Sequence, residues 1–210
     1  MIKKLLRPYV PHVLINKLKK KFFTKDEYQN WQKAGCPIPT PHIAKQIIIQ
    51  DYHKLYGNDV LVETGTFHGD MVEAQKNNFK KVISIELAVK LFKRAQKRFI
   101  KDNNVTIIQG DSGKVLIELM KSITEPAIFW LDGHYSAGIT AKGNTECPIF
   151  EELDAILRSK FFNHVILIDD ARFFIGKGDY PSIDKLTDFV KSKNDKYNVE
   201  VKNDIIRYTI

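Results

Sequence analysis

The sequence predicts a doubly wound α/β fold with a mostly parallel, seven-stranded sheet that ends in an antiparallel hairpin. Short apolar runs alternate five times with amphipathic segments, which is the pattern of parallel strands joined by helices. The runs are mostly β-branched or aromatic, as in strands that are buried on both faces. The chain then closes with two alternating segments around the turn residues Asn203 and Asp204, which indicates a terminal hairpin.

The first element of this fold is a helix, predicted from about residue 41 to residue 56. Thr40 is the expected N-cap and Pro41 the first helical residue, where proline is well tolerated. Gly57 is expected to end the helix. Apolar residues recur at helical spacing within it: Ile43, Ile47, Ile48 and Tyr52.

The strands and the remaining helices follow in alternation. The five predicted parallel strands span residues 60–62, 82–85, 105–108, 127–131 and 165–168. Helices are predicted near residues 70–78, 88–101, 112–121, 148–159 and 181–193, and the hairpin at 197–201 and 205–210. One face of the second of these helices is rich in lysine and arginine, which a solvated helix face explains better than a nucleic-acid patch.

The excess positive charge lies in an N-terminal arm. The chain has 33 Lys+Arg and 25 Asp+Glu, a net charge of +8. Eight of the basic residues and none of the acids precede Asp26, which leaves 25 basic and 25 acidic residues in the rest of the chain. A balanced body disfavours a nucleic-acid partner, since such domains usually spread basic residues over one face. We therefore expect a basic, helical arm with a proline-rich linker at residues 1–40 and one domain at residues 41–210.

Other protein classes are also disfavoured. No apolar run reaches the ~18–20 residues that span a bilayer, and the N-terminus does not resemble a secretory signal. Cys36 and Cys147 offer neither a disulfide framework nor metal-ligand spacing, so a cytoplasmic protein is expected. Apolar residues lie among the lysines of residues 1–25. This segment could contact the inner membrane surface peripherally, cover a neighbouring subunit in a homo-oligomer, or cover the ligand cleft.

Ligands of open α/β sheets bind at the carboxyl ends of the strands, so the residues there form the candidate site. The first strand runs into Glu63-Thr-Gly-Thr-Phe-His-Gly69, whose glycines allow a tight turn and a close backbone approach. This spacing is not the GxGxxG of dinucleotide sites, and the chain has no GxxxxGK[ST] phosphate loop. Glu86 ends the second strand, where a carboxylate can accept two hydrogen bonds from a ribose diol.

The five parallel strands, the hairpin and the glycine loop resemble the class I S-adenosylmethionine (SAM) methyltransferases over residues 41–210. The loop is similar to their E/DxGxxxG segment, which wraps the methionine part of SAM. The resemblance implies that SAM is the cofactor, that Glu86 binds its ribose, and that Asp111 and the backbone beside it bind its adenine. Ser112 is also an expected N-cap of the next helix. The implied cofactor contacts are Glu63, Gly65, Thr66, Phe67, Gly69, Glu86, Asp111, Ser112 and Asp132.

Three acids, Asp132, Asp169 and Asp170, follow the fourth and fifth strands. Carboxylates at adjacent strand ends would repel one another, and a divalent cation with oxygen ligands, such as Mg²⁺, relieves that repulsion. This arrangement resembles the metal-dependent O-methyltransferases of the catechol type and, more closely, the macrocin-type sugar O-methyltransferases. The resemblance implies that the three acids bind Mg²⁺. It also implies a small hydroxylated acceptor, with a sugar or glycan unit favoured.

In such enzymes the metal lowers the pKa of a substrate hydroxyl, and a base removes its proton. The related sugar enzymes have a carboxylate two residues after the first metal-binding Asp, where this chain has His134. His134 and Asp132 are therefore the candidate catalytic residues, since histidine titrates in the range that a general base needs. Two alternatives stay open: a metal-independent SAM methyltransferase with His134 as its base, and a non-catalytic binding or scaffold protein with this fold.

Two long segments flank the three acids. Residues 133–147 contain three glycines and are expected to form a lid or substrate loop, and residues 171–180 to form a second loop. The candidate substrate contacts are Tyr135, Arg172 and Phe173. Arg172 could bind a phosphate or a carboxylate of the substrate, or it could be an ordinary surface arginine.

Overall fold

The computed structural model describes residues 26–133, 147–159 and 163–210, and a seven-stranded sheet forms its centre. The described strands are β1 (Val60–Thr64), β2 (Lys81–Glu86), β3 (Val105–Gln109), β4 (Ala127–Leu131), β5 (Val165–Ile168), β6 (Ile175–Lys177), β7 (Tyr180–Ser182), β8 (Asn198–Lys202) and β9 (Ile205–Thr209). The main sheet has the order β3-β2-β1-β4-β5-β9-β8, and β6 pairs separately with β7. Strands β1 to β5 are parallel and β8–β9 is an antiparallel hairpin, so the predicted fold class is confirmed.

Helices cover both faces of the sheet. They are α1 (26–33), α2 (His42–Tyr56), α3 (Asp70–Gln75), α4 (Val89–Arg98), α5 (Ser112–Leu119), α6 (Ile149–Leu157) and α7 (Ile183–Lys193). Because side chains alternate along a strand, Val62 and Phe129 pack toward α5, α6 and α7. Leu61 and Trp130 pack toward α2, α3 and α4 on the other face. Each of these strand side chains is fully buried, as expected for a sheet with helices on both sides.

The start of helix α2 differs from the prediction, and its end does not. Pro41, not Thr40, is the N-cap, since its carbonyl accepts the N–H groups of Ala44 and Lys45. The Thr40 hydroxyl instead donates a hydrogen bond to the carbonyl of Asn203 at 2.7 Å. Gly57 ends the helix in the left-handed region, at a φ of 68°. The fully buried residues of the helix are Ala44 and Ile49, and Ile48 and Tyr52 are partly buried against the same core.

Two further expectations are wrong. Strand β3 is not buried on both faces, because it lies at the edge of the sheet and pairs only with β2 among the described strands. Residues 171–180 are not a plain loop: a short 3-10 turn over Ala171–Phe173 leads into the β6–β7 ribbon. That ribbon is antiparallel, with Ile175 exposed on β6 and Tyr180 of β7 packed against the core.

The predicted arm falls partly outside the described residues. Residues 1–25 are not described, and the predicted domain boundary near residue 40 stays a prediction. Helix α1 lies inside the predicted arm, and its Trp31 is buried and donates a hydrogen bond to the carbonyl of Pro37 at 2.9 Å. None of the described helices is long and apolar enough to cross a membrane.

His164, which precedes β5, predicts how the fold responds to acid. Its side chain is buried, and Nδ1 accepts a hydrogen bond from the backbone N–H of Ala127 at 3.0 Å. Burial lowers the pKa of His164 from 6.5 to about 4. Between these values the unfolded chain binds a proton that the folded chain does not, so acidification destabilises the fold by at most about 3 kcal/mol.

Replacing His164 with asparagine is expected to remove this response. The asparagine Oδ1 can accept the same hydrogen bond from Ala127, but the side chain does not titrate. Urea unfolding should show that the difference in stability between His164→Asn and the wild type shrinks as the pH falls from about 6.5 to about 4. Parallel losses in the two proteins would contradict a neutral, buried His164.

Candidate functional site

The sheet register brings the predicted strand-end residues to one edge of the sheet. Thr64 of β1 pairs with Ile85 of β2 and with Leu131 of β4, which in turn pairs with Ile168 of β5. The residues that follow this row are Gly65, Glu86, Asp132 and Asp169. The strand order reverses between β1 and β4, which is where ligands bind in sheets of this kind.

The loop after β1 packs closely against the end of β4. Gly65 has a φ of 85°, and a Cβ atom there would overlap the backbone carbonyl oxygen of Asp132. Gly69 has a φ of 76°, and a Cβ atom there would lie 2.7 Å from the ring of Phe99. Both positions therefore need glycine for two reasons, the backbone conformation and the available space.

Glu86 holds this loop in place. One carboxylate oxygen accepts a hydrogen bond from the backbone N–H of Phe67 at 2.7 Å, and the other accepts one from that of Ala88 at 2.8 Å. Each oxygen keeps lone-pair capacity for a further donor, since a carboxylate has about four acceptor positions. The predicted ribose-binding residue is thus also the residue that positions the loop.

Glu63 and Thr66 belong to a buried network beside the loop. Ser84 donates a hydrogen bond to the Glu63 carboxylate, and the hydroxyl groups of Ser84 and Thr66 lie 2.6 Å apart. Burial raises the pKa of Glu63 to about 8, although the hydrogen bond from Ser84 opposes the shift. The side chains of Glu63 and Thr66 therefore support the loop from within the sheet.

The third strand end carries the predicted adenine contacts, Asp111 and Ser112. Asp111, not Ser112, is the N-cap of α5, because the Asp111 carboxylate accepts a hydrogen bond from the N–H of Gly113 at 3.1 Å. Ser112 is the first residue of the helix and is buried. An aspartate N-cap satisfies an otherwise unpaired helical N–H and interacts favourably with the helix dipole.

Asp132, Asp169 and Asp170, which we call the acidic cluster, are brought together as predicted. Each offers a carboxylate oxygen, and these three oxygens all lie within 4.8 Å of one another. Asp132 donates its backbone N–H to Thr64 at 3.2 Å, and Asp169 donates its own to Leu131 at 3.0 Å. The parallel ladder thus holds the acidic cluster at adjacent strand ends.

Lys45 lies against the acidic cluster and was not among the predicted site residues. Its ammonium group forms an ion pair with Asp169 and lies 3.5 Å from Asp170 Oδ1. Burial alone would lower the pKa of Lys45, but the attraction of Asp169 and Asp170 outweighs it and raises the pKa, so the side chain stays charged. Burial and Asp170 raise the pKa of Asp169, whereas Lys45 opposes that shift.

Arg172 contacts the acidic cluster and is not an isolated side chain at the surface. Its guanidinium donates to Asp170 Oδ1 at 2.8 Å and also pairs with the buried carboxylate of Asp204. Asp204 accepts the backbone N–H of Arg172 at 2.9 Å as well. The sequence pattern indicates only a hairpin turn at Asp204. Its contacts with Arg172 show that this turn supports the end of β5.

The remaining predicted site residues divide into two groups. Phe173 is 44% exposed and stacks under the Arg172 guanidinium, 4.5 Å from it, so its ring is accessible near the acidic cluster. His134 and Tyr135, the predicted base and a predicted substrate contact, lie outside the described residues. Their roles stay predictions.

The position of Lys45 in the sequence could have identified it as a candidate site residue. Lys45 is on the helix that carries the apolar spacing, three and four residues before Ile48 and Ile49. A lysine on the inward face of a helix is costly to bury without a partner, so this position indicates an acid nearby. The identity of that acid is not readable from the sequence, because 124 residues separate Lys45 from Asp169.

The comparison with known proteins identifies the fold of this chain. No protein-family model and no curated protein matches the chain. Among solved structures it is similar to the SAH-bound methyltransferase PaMTH1 of Podospora anserina, with a TM-score of 0.57 and 12% identity over 97% of this chain and 99% of that one. It is also similar to the SAM-bound O-methyltransferase TomG of Streptomyces achromogenes, involved in tomaymycin synthesis (0.56, 14%, 89% and 88%). A third similar structure is the O-methyltransferase of Bacillus cereus in complex with SAH (0.51, 14%, 89% and 90%).

These likenesses extend along most of both chains and include the sheet on which the site is built. At such identities the likeness is one of fold. The chain has the fold of the class I SAM-dependent methyltransferases.

Proposed function

We propose that this protein is a SAM-dependent O-methyltransferase that methylates a hydroxyl group of a small molecule, with Mg²⁺ bound by the acidic cluster. The observation that carries the proposal is the alignment of Gly65, Glu86, Asp132 and Asp169 behind one row of paired strand residues. A loop suited to SAM and a cluster suited to a metal thereby share one edge of the sheet. The resemblance to the macrocin-type enzymes favours a sugar or glycan unit as the acceptor.

The described residues fit the cofactor. The Glu86 carboxylate can accept hydrogen bonds from a ribose diol while it holds the N–H groups of Phe67 and Ala88. Glycine at position 65 lets the loop pack directly against the backbone of Asp132, where a side chain would overlap the carbonyl oxygen. Thr64 Oγ1, at the end of β1, is buried and has no hydrogen-bond partner within the described ranges. The neighbouring solved methyltransferases, which contain SAM or SAH, support the same cofactor here.

The acidic cluster fits a hard divalent cation. Its members supply oxygen atoms, which Mg²⁺ prefers, and the 4.8 Å limit on their separations approaches the ~3–4 Å spacing of ligands around an octahedral Mg²⁺. When bound, Mg²⁺ would supply the positive charge that lowers the pKa of a substrate hydroxyl. Asp132, Asp169 and Asp170 are the residues that would hold it.

The remaining chemistry belongs to the residues of the chain. We assign Glu86 and the glycine loop to orient the sulfonium, and His134 to accept the proton of the acceptor hydroxyl. The hydroxyl oxygen forms a bond to the methyl carbon while the bond from that carbon to the sulfonium sulfur breaks, so SAH leaves as the product. Positioning of the two reactants supplies most of the acceleration in a transfer of this kind.

Calorimetric titration with S-adenosylhomocysteine, with and without Mg²⁺, tests this proposal. We expect saturable binding in both conditions. Methyl transfer to a panel of sugars should stop when a chelator is added and resume with Mg²⁺. Turnover that resists the chelator would contradict the metal and leave the alternative with His134 as the base. Folded protein that does not bind S-adenosylhomocysteine would overturn the enzymatic proposal and favour a binding or scaffold protein.

A further inference from the structure

Both carboxylate oxygens of Asp169 are already engaged. Oδ1 accepts the backbone N–H of Asp170 at 2.8 Å, and Oδ2 forms the ion pair with Lys45. The Lys45 ammonium also reaches Asp170 Oδ1, which Arg172 contacts at 2.8 Å. A metal ion that binds the acidic cluster would therefore lie close to the ammonium group of Lys45, which already contacts the same carboxylates.

Lys45 is held in this position by the fold. Its side chain is 15% exposed, and that of Asp169 is 1% exposed. Helix α2, which carries Lys45, is anchored by the buried Ile49 and by a hydrogen bond from Gln75 of α3 to the carbonyl of Gln46 at 2.9 Å. The ammonium group is thus presented to the acidic cluster by a packed helix.

We propose that Lys45 competes with the divalent cation for Asp169 and thereby sets the metal affinity of the acidic cluster. The inference rests on the metal-dependent function proposed above. Before the metal binds, the ammonium offsets the repulsion between Asp169 and Asp170 and keeps their carboxylates close together. A metal ion held by the acidic cluster would add a second positive charge beside the Lys45 ammonium, and repulsion between the two charges would weaken the ion pair between Lys45 and Asp169.

The test is the affinity for Mn²⁺, measured from the electron paramagnetic resonance signal of the free ion. Lys45→Met keeps most of the length of the side chain and removes its charge, so we expect it to bind Mn²⁺ about tenfold more tightly than the wild type. Lys45→Arg keeps the charge and should stay near the wild-type affinity. Lys54→Met is the matched control, because Lys54 lies exposed on the same helix and pairs with Asp51 at 3.4 Å.

A second readout guards against a variant that folds poorly. Without its internal cation the acidic cluster should depend more on the metal, so Mn²⁺ should raise the melting temperature of Lys45→Met more than that of the wild type. Lys45→Gln, a second uncharged variant, should behave in the same way. Near-ultraviolet circular dichroism checks that each variant has the native packing.

The outcomes separate this inference from the proposed function. Equal or weaker Mn²⁺ binding by both uncharged variants would overturn the competition, and so would the absence of Mn²⁺ binding in every variant. S-Adenosylhomocysteine titration of the same samples reports on the methyltransferase proposal separately. Tighter Mn²⁺ binding by protein that does not bind S-adenosylhomocysteine would support the role of Lys45 and reject the enzyme.

Discussion

Replacing Asp132 with alanine is expected to reduce methyl transfer at least about 100-fold and to leave the affinity for S-adenosylhomocysteine nearly unchanged. The variant loses one of the three carboxylates that would hold Mg²⁺ and orient the acceptor. The backbone carbonyl of Asp132, which packs against Gly65, is retained, so the cofactor loop keeps its support. Product release with a sugar acceptor that the wild type methylates measures the first effect, and calorimetry the second.

Asp195→Ala is the matched control for this experiment. Asp195 is exposed and precedes β8, at the edge of the sheet opposite the acidic cluster, so its loss should change neither quantity. Mn²⁺ binding supplies a readout that does not need the acceptor, because Asp132→Ala should weaken it. Normal methyl transfer by Asp132→Ala would show that the proposed metal centre is wrong.

Replacing Glu86 with alanine is expected to weaken the binding of S-adenosylhomocysteine itself, by about 10- to 100-fold. The variant loses the carboxylate proposed to accept hydrogen bonds from the ribose, and bonds to a charged group contribute about 1.5–3 kcal/mol. It also releases the N–H groups of Phe67 and Ala88, so the loop that should wrap the cofactor loses its anchor. The two variants can thus be told apart by calorimetry: Asp132→Ala should keep its affinity for S-adenosylhomocysteine, whereas Glu86→Ala should lose much of it.

Glu86→Gln and Glu118→Ala complete this comparison. Glutamine keeps one oxygen that can accept the N–H of Phe67, so Glu86→Gln should have an intermediate affinity. Glu118 is exposed on α5 and pairs with Lys121, so its removal should have no effect on binding. Wild-type affinity in a folded Glu86→Ala variant would place the cofactor elsewhere.

The titrations of Glu63 and His164, both buried, change the stability of the fold in opposite directions. Glu63 has a folded-state pKa of about 8, above its ordinary value of 4.5. The folded chain therefore keeps a proton that the unfolded chain loses, and Glu63 reduces stability as the pH rises through this range. His164 reduces stability as the pH falls from about 6.5 to about 4, a range that overlaps that of Glu63. The two effects should therefore nearly cancel where the ranges overlap, and stability should fall above and below that overlap.

Much of this fold is predictable from the chain because the signals are local. The apolar runs of β1, β2, β4 and β5 and the alternation of the terminal hairpin each occupy a few consecutive residues. The positions of the candidate site residues were predictable to the same extent, since Glu86 ends a recognisable strand and Asp132 and Asp169 directly follow theirs. The helix caps were less predictable: the expected N-caps, Thr40 and Ser112, each lie next to the true one, because neighbouring residues compete for the same role.

The order of strands and helices, the glycine loop and the acids at the strand ends can all be read from the chain. What those acids contact depends on how the chain folds in three dimensions. Lys45 meets Asp169 because α2 packs beside β4, and Asp204 meets Arg172 because β9 pairs with β5. Secondary structure depends on residues that are close in the chain, so a local pattern predicts it. An ion pair depends on which helices and strands become neighbours in the fold, so a local pattern does not. Residues that are far apart in the sequence therefore form ion pairs only in the folded protein.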